Sequence, residues 1–189
     1  IDRVDLQTSA LRIIGAAKKN NLSYVVTPNS DNLVMLEEDK KLQSVYAKAF
    51  LVVADGMPLI WASKLLGKSL PERVTGSDLM PLLCELSAKE GLSIFLLGAG
   101  PGIAERAKQK LEERYPGLAI VGTHSPPMSF DKNPEANAVI ETLIKAASPD
   151  IVFVGLGAPK QEFWIYDNIE RFSHGVFLGI GASIDFCAG

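Results

Sequence analysis

Short apolar runs alternate along this chain with longer stretches of helical period. Tyr24-Val25-Val26, Phe50–Ala54, Ile94–Leu97 and Ile151–Val154 are apolar throughout, and each breaks off abruptly into polar or glycine-rich sequence. Runs of this kind read as strands buried on both faces of a parallel sheet. The pattern predicts strands at 23–27, 50–54, 94–97, 118–121, 151–154 and 176–180. Leu11, Ile14 and Ala17 recur at helical spacing, so a first helix should end near Asn20-Asn21. Ser30 or Asp31 can cap a helix carrying Leu33 and Leu36, and Leu42, Val45 and Tyr46 continue its period. Further helices are expected at 58–66, from a Ser77 cap to Gly91, at 102–115, at 134–147, and through Trp164 and Ile169. Trp61 and Trp164 fall on helical faces, where core packing is the expected role. This βα rhythm predicts an α/β fold: a doubly wound, mainly parallel, Rossmann-like sheet with helices on both faces.

Size and composition narrow the picture. The chain has 189 residues, enough for one domain of two fused α/β halves, about 1–91 and 92–189. Its net charge of −3 gives no global basic field, so nucleic acid is not an expected partner. Cys84 and Cys187 have neither metal-ligand spacing nor disulfide density, which points to a reducing cytoplasm. With only His124 and His174, a histidine-based metal centre is not expected, and His124 reads as structural. No run reaches the ~18 to 20 apolar residues of a membrane span.

Ligands of parallel sheets bind beyond the carboxyl ends of the strands, so the polar residues there are the candidates. Asp55 ends a buried run, where it serves either a turn or a general base whose pKa burial raises. Thr27 and Asn29 form a turn and cap, or orient a sugar. Arg73 is a solvated loop cation or the partner of a diphosphate. Gly98-Ala99-Gly100-Pro101-Gly102 is a tight βα turn or a phosphate or ribose contact at a helix start. Ile103 holds the third glycine slot of a dinucleotide fingerprint, and no acidic residue ends the next strand, which disfavours NAD. Gly155-Leu156-Gly157-Ala158-Pro159-Lys160-Gln161-Glu162 either starts a helix, with Glu162 complementing its dipole, or presents Lys160 and Gln161 to a ligand. Asp185, a few residues past the last strand, could meet ribose or sugar hydroxyls.

Taken in order, Thr27-Pro28-Asn29, Ala54-Asp55-Gly56-Met57-Pro58, Pro71-Glu72-Arg73-Val74-Thr75-Gly76-Ser77-Asp78, the Gly98 loop, Tyr115-Pro116-Gly117, Val154 to Glu162 and Gly179 to Phe186 span almost the whole chain. Their order and content resemble the WecG/TagA/CpsF glycosyltransferases. The resemblance implies an inverting, metal-independent transferase with no cofactor. Such an enzyme passes a sugar from a UDP-sugar to a polyprenyl-diphosphate-linked acceptor. The likeness is strongest to the wall teichoic acid branch, which transfers N-acetylmannosamine to undecaprenyl-diphosphate-linked N-acetylglucosamine. A uronate donor in a related polysaccharide pathway is the alternative, and a non-catalytic nucleotide-binding module is another.

By the same resemblance Asp55 is the base, with Thr27, Asn29 and Arg73 in its pocket. Gly98, Gly100, Gly155, Gly157, Pro159, Lys160, Gln161 and Asp185 would hold the UDP-sugar. The family often carries Gly-Tyr or Gly-Phe where this chain has His124-Ser125-Pro126-Pro127-Met128. Family members also continue past the last strand into a basic segment, which this sequence lacks. The resemblance therefore implies a membrane contact through that segment and a cytoplasmic place on the inner membrane face; without the segment, an uncovered docking surface would favour homo-oligomerisation.

Overall fold

The computed structural model describes residues 1–189. In chain order the elements are α1 (Leu6–Ala17), β1 (Leu22–Val26), α2 (Ser30–Glu38), α3 (Lys40–Lys48), β2 (Leu51–Val52), α4 (Met57–Leu65) and α5 (Gly76–Glu90). There follow β3 (Ser93–Gly98), α6 (Ile103–Arg114), β4 (Ala119–His124), α7 (Pro134–Ala147), β5 (Ile151–Gly155), α8 (Lys160–Asn168), β6 (Gly175–Gly179) and α9 (Ser183–Ala188). Six strands form one sheet in the order β2-β1-β6-β5-β3-β4, and every pairing is parallel. This is the doubly wound α/β fold that the apolar runs predict.

Alternate strand residues feed two cores. Val25, Leu96, Phe153 and Leu178 point into the larger one, with α1, α5, α6 and α9. Val26, Leu97, Val154 and Phe177 point into the other, with Val45 of α3, Ile140 and Ile144 of α7, and Trp164 and Ile165 of α8. Both faces are therefore covered, which is why these strands tolerate no polar alternation.

Several elements depart from the sequence pattern. The expected helix through 30–46 is two helices. Asp39 takes an extended backbone and its carboxylate accepts from the Leu42 N–H at 2.9 Å, so it caps a new helix. The cap of α2 is Asn29, not Ser30 or Asp31, through a reciprocal box with Asn32. Thr75, not Ser77, caps α5. The β2 ladder is shorter than the run 50–54, although Phe50, Val53 and Asp55 still donate backbone N–H groups to the β1 segment. Trp61 lies 62% exposed on α4, so its core assignment is corrected, whereas Trp164 is buried. Helix α4 is apolar on more than one face, and only Leu59 and Ile60 meet the interior. The short α9, for which the chain has no long periodic signal, packs on α6, where Arg106 donates to the Ala188 and Gly189 carbonyls.

Candidate active site

Two cavities open at the carboxyl edge of the sheet. One, of about 340 Å³, lies beyond β1, β2 and β6. It brings together Thr27, Asn29, Asp55, Arg73 and Gln161, five of the residues singled out from sequence. The other, of about 530 Å³, lies beyond β3 and β5 and gathers Gly100, Gly155, Gly157, Pro159 and Lys160. Between β3 and β5 the chain direction across the sheet reverses, since β3 leads outward to β4 and β5 leads back to β6. A crevice is expected at such a switch point. Ala158 borders both cavities.

Asp55 sits half-buried where the chain leaves β2. The Gly76 N–H, in the first turn of α5, approaches its Oδ2 at 3.5 Å. Gly76 must be glycine for this approach, because a Cβ there would stand 2.7 Å from Ser183 Oγ and 2.8 Å from the Ile180 carbonyl. Burial pushes the Asp55 carboxyl above its ordinary range, opposed by the Gly76 N–H and the Arg73 charge; Asp78 adds to the rise. The result is a carboxylate held near a cation yet less well solvated than one on the surface.

The neighbours are fixed by local structure. The Thr27 hydroxyl donates to the Gly179 carbonyl at 2.9 Å and ties β1 to β6. Asn29 spends its side-chain oxygen on the cap of α2, which leaves its amide NH₂ uncommitted by any hydrogen bond. Arg73 is paired with Asp78 at 3.3 Å, and that carboxylate also accepts from the Thr75 hydroxyl at 2.7 Å. The guanidinium, 46% exposed, keeps donors free for a ligand. The Gln161 side-chain oxygen accepts from the Gly181 N–H at 3.1 Å, and its amide donates to Glu162 at 2.9 Å.

The remaining predicted residues are placed differently. Gly98 lines neither cavity. Its φ is +119°, and a Cβ would fall 2.1 Å from the Gly155 carbonyl oxygen, so it permits β3 and β5 to close on each other. Lys160 reaches Asp131 at 3.4 Å on the rim. Asp185 is exposed on α9 and lines neither cavity; Ser183, earlier in that helix, does. His124 ends β4 with its pKa lowered by burial, and Ser125 donates to the Gly98 and Gly100 carbonyls. Both cysteines are free thiols. No three His, Cys, Asp or Glu side chains are grouped to hold a metal.

Sequence reasoning passed over Asn32, Thr75, Ser77, Glu162, Ser183 and Phe186, which also line the Asp55 cavity. Thr75 and Ser77 lie in the same Pro71–Asp78 segment as Arg73, so that segment held a usable signal. Glu162 was legible only as a helix-start acid, because nothing local shows that α8 turns it inward.

In a doubly wound α/β protein, polar cavities at the strand carboxyl ends are where ligands bind. Residues 1–189 match the model of the Glycosyl transferase WecG/TagA/CpsF family, and the chain belongs to that family. It is 32% identical over 170 residues to the N-acetylglucosaminyldiphosphoundecaprenol N-acetyl-beta-D-mannosaminyltransferase of Staphylococcus aureus (strain NCTC 8325 / PS 47). It is 29% identical over 171 residues to the protein of the same name from Bacillus spizizenii. Each alignment covers 90% of this chain and 64% of the relative, so the chain spans less than two thirds of their length.

Proposed function

We propose that the protein is an inverting glycosyltransferase that moves N-acetylmannosamine from UDP-N-acetylmannosamine to undecaprenyl-diphosphate-linked N-acetylglucosamine. The observation that carries this reading is Asp55. It is a partly desolvated carboxylate at a strand's carboxyl end, sharing one cavity with Thr27, Asn29, Arg73 and Gln161, in a chain of this family. The named activity of the two relatives supports the choice of sugar and acceptor.

In the proposed step Asp55 takes the proton of the acceptor hydroxyl. The freed oxygen forms a bond to the anomeric carbon, and the bond from that carbon to the phosphate oxygen breaks on the opposite face. Its electron pair leaves with UDP. Arg73 and the N–H groups at the start of α8 would offset the growing charge on the diphosphate, which suits a reaction without a metal. The Gly100–Gly157 cavity would accept the nucleotide, and the Asp55 cavity the sugar. Arg73 is the one cation lining the Asp55 cavity, which leaves no second cation for a uronate donor.

No helix is long and apolar enough to cross a membrane. A lipid-linked acceptor would bring the proposed reaction to a membrane surface, and a peripheral place on the cytoplasmic face is part of this reading. The test is transfer from UDP-N-acetylmannosamine to a lipid-linked N-acetylglucosamine analogue, with and without EDTA. Product forms equally in both if the reading holds. UDP binding without transfer would indicate a binding module, and rescue of a chelated enzyme by Mg²⁺ or Mn²⁺ would overturn the metal-free step.

A further inference from the structure

Glu162 is the least solvated acid at the site, with the residue only 1% exposed. Its Oε1 accepts from the Gln161 amide at 2.9 Å, while Oε2 is buried and has no partner. Across the contact between α3 and α8 lies Tyr46, whose hydroxyl is likewise buried and unpartnered. Burial raises the pKa of this phenol, and an ionised Glu162 would raise it further. Asp55 and Arg73 border the same cavity, and neither bonds to Glu162. No Lys, Arg or His forms an ion pair with it.

A buried carboxylate with one bare oxygen and no counter-ion is costly, whereas the protonated acid carries no charge and gains a donor. We propose that Glu162 is a positioning residue: a neutral carboxylic acid that fixes the Gln161 amide, and through it the Gly181 turn, beside Asp55. The Gln161 amide has two faces, and only one orientation lets its oxygen accept from Gly181 while its nitrogen donates to Glu162. Burial favours the protonated form of Glu162 more than the Gln161 hydrogen bond opposes it. The positioning role rests on the transferase reading; the protonation state does not.

Two measurements test it. The first is melting of the unaltered protein and of E162Q between pH 5 and pH 9. The folded state holds this proton to higher pH than the unfolded chain does. Stability from Glu162 is therefore full below the ordinary glutamate pKa and is lost as pH rises through the folded value. E162Q lacks that loss, so its melting temperature should gain on the unaltered protein as pH rises. A difference that stays constant with pH overturns the neutral acid. The second is transfer as a function of pH. E162A should lower kcat/KM by about 10-fold, because a displaced site group is costly. E162Q should recover most of that loss and flatten the fall in rate on the alkaline side. If E162Q is as impaired as E162A at every pH, the positioning role is wrong. Absence of transfer by the unaltered protein would count against the transferase reading, while the melting series would still decide the protonation state.

Discussion

Asp55 owes its proposed reactivity to where β2 ends. Its neighbours remove water, and the Gly76 N–H and Arg73 only partly compensate. Asp55→Asn should lower turnover by roughly 10²- to 10⁴-fold, the range for a lost acid–base group. UDP affinity measured by calorimetry should be nearly unchanged; normal turnover in the folded variant would remove Asp55 from the mechanism. Because its pKa is raised, the rate should fall on the acid side at a higher pH than an exposed aspartate would give, and a pH–rate profile checks this. Arg73 is the half-exposed cation of the cavity. Arg73→Ala should reduce transfer and weaken UDP binding, with little change in melting temperature, because a surface ion pair adds little to stability. Thr27, Asn29, Asp55 and Arg73 were legible as candidates because strand ends and polar loops are visible locally. Glu162 was not, because burial of one side of α8 depends on what packs there.

At the scale of elements, α5 links the cap to the site. The Thr75 side chain accepts from the Asp78 N–H at 3.0 Å, and its hydroxyl donates to the Asp78 carboxylate that holds Arg73. Thr75→Ala removes both contacts. It should cost about 1 kcal/mol of stability, the usual worth of an N-cap, readable by urea denaturation. It should also reduce transfer by freeing Arg73, and stability without that second effect would separate the cap from the site. The position of this cap was misjudged by two residues from sequence, since Thr75 and Ser77 are both good caps. Only the extended backbone at Thr75 (φ −97°, ψ 156°) decides between them. The break at Asp39 has the same origin: the helical period of Leu42, Val45 and Tyr46 is blind to one preceding residue that leaves helical geometry.

At the scale of the molecule, the sheet is the rigid part that holds both cavities. Phe153, on the central strand β5, is fully buried in the larger core. Phe153→Ala should destabilise by ~3 to 5 kcal/mol through lost transfer energy and a residual cavity. For a domain of this size each kcal/mol lowers the melting temperature by ~2 to 4 °C, so calorimetry should show a large drop. A small drop would mean that β5 relaxes around the void.

The alternation of apolar runs and helical periods determined the α/β class, the number of strands and the placing of polar residues at their ends. These are local properties, set by side-chain period and by the need to bury both faces of a parallel sheet. The strand order was not legible: β6 inserts between β1 and β5, although it comes last in sequence. That insertion brings Gln161 and Gly181 to the side of Thr27 and Asp55. Trp61 faces solvent, against its expected place in the core, and Glu162 is buried, which a helix-start acid does not announce. Contacts between residues more than a hundred positions apart, such as Thr27 with Gly179, leave no mark on local periodicity; only the packed sheet selects them.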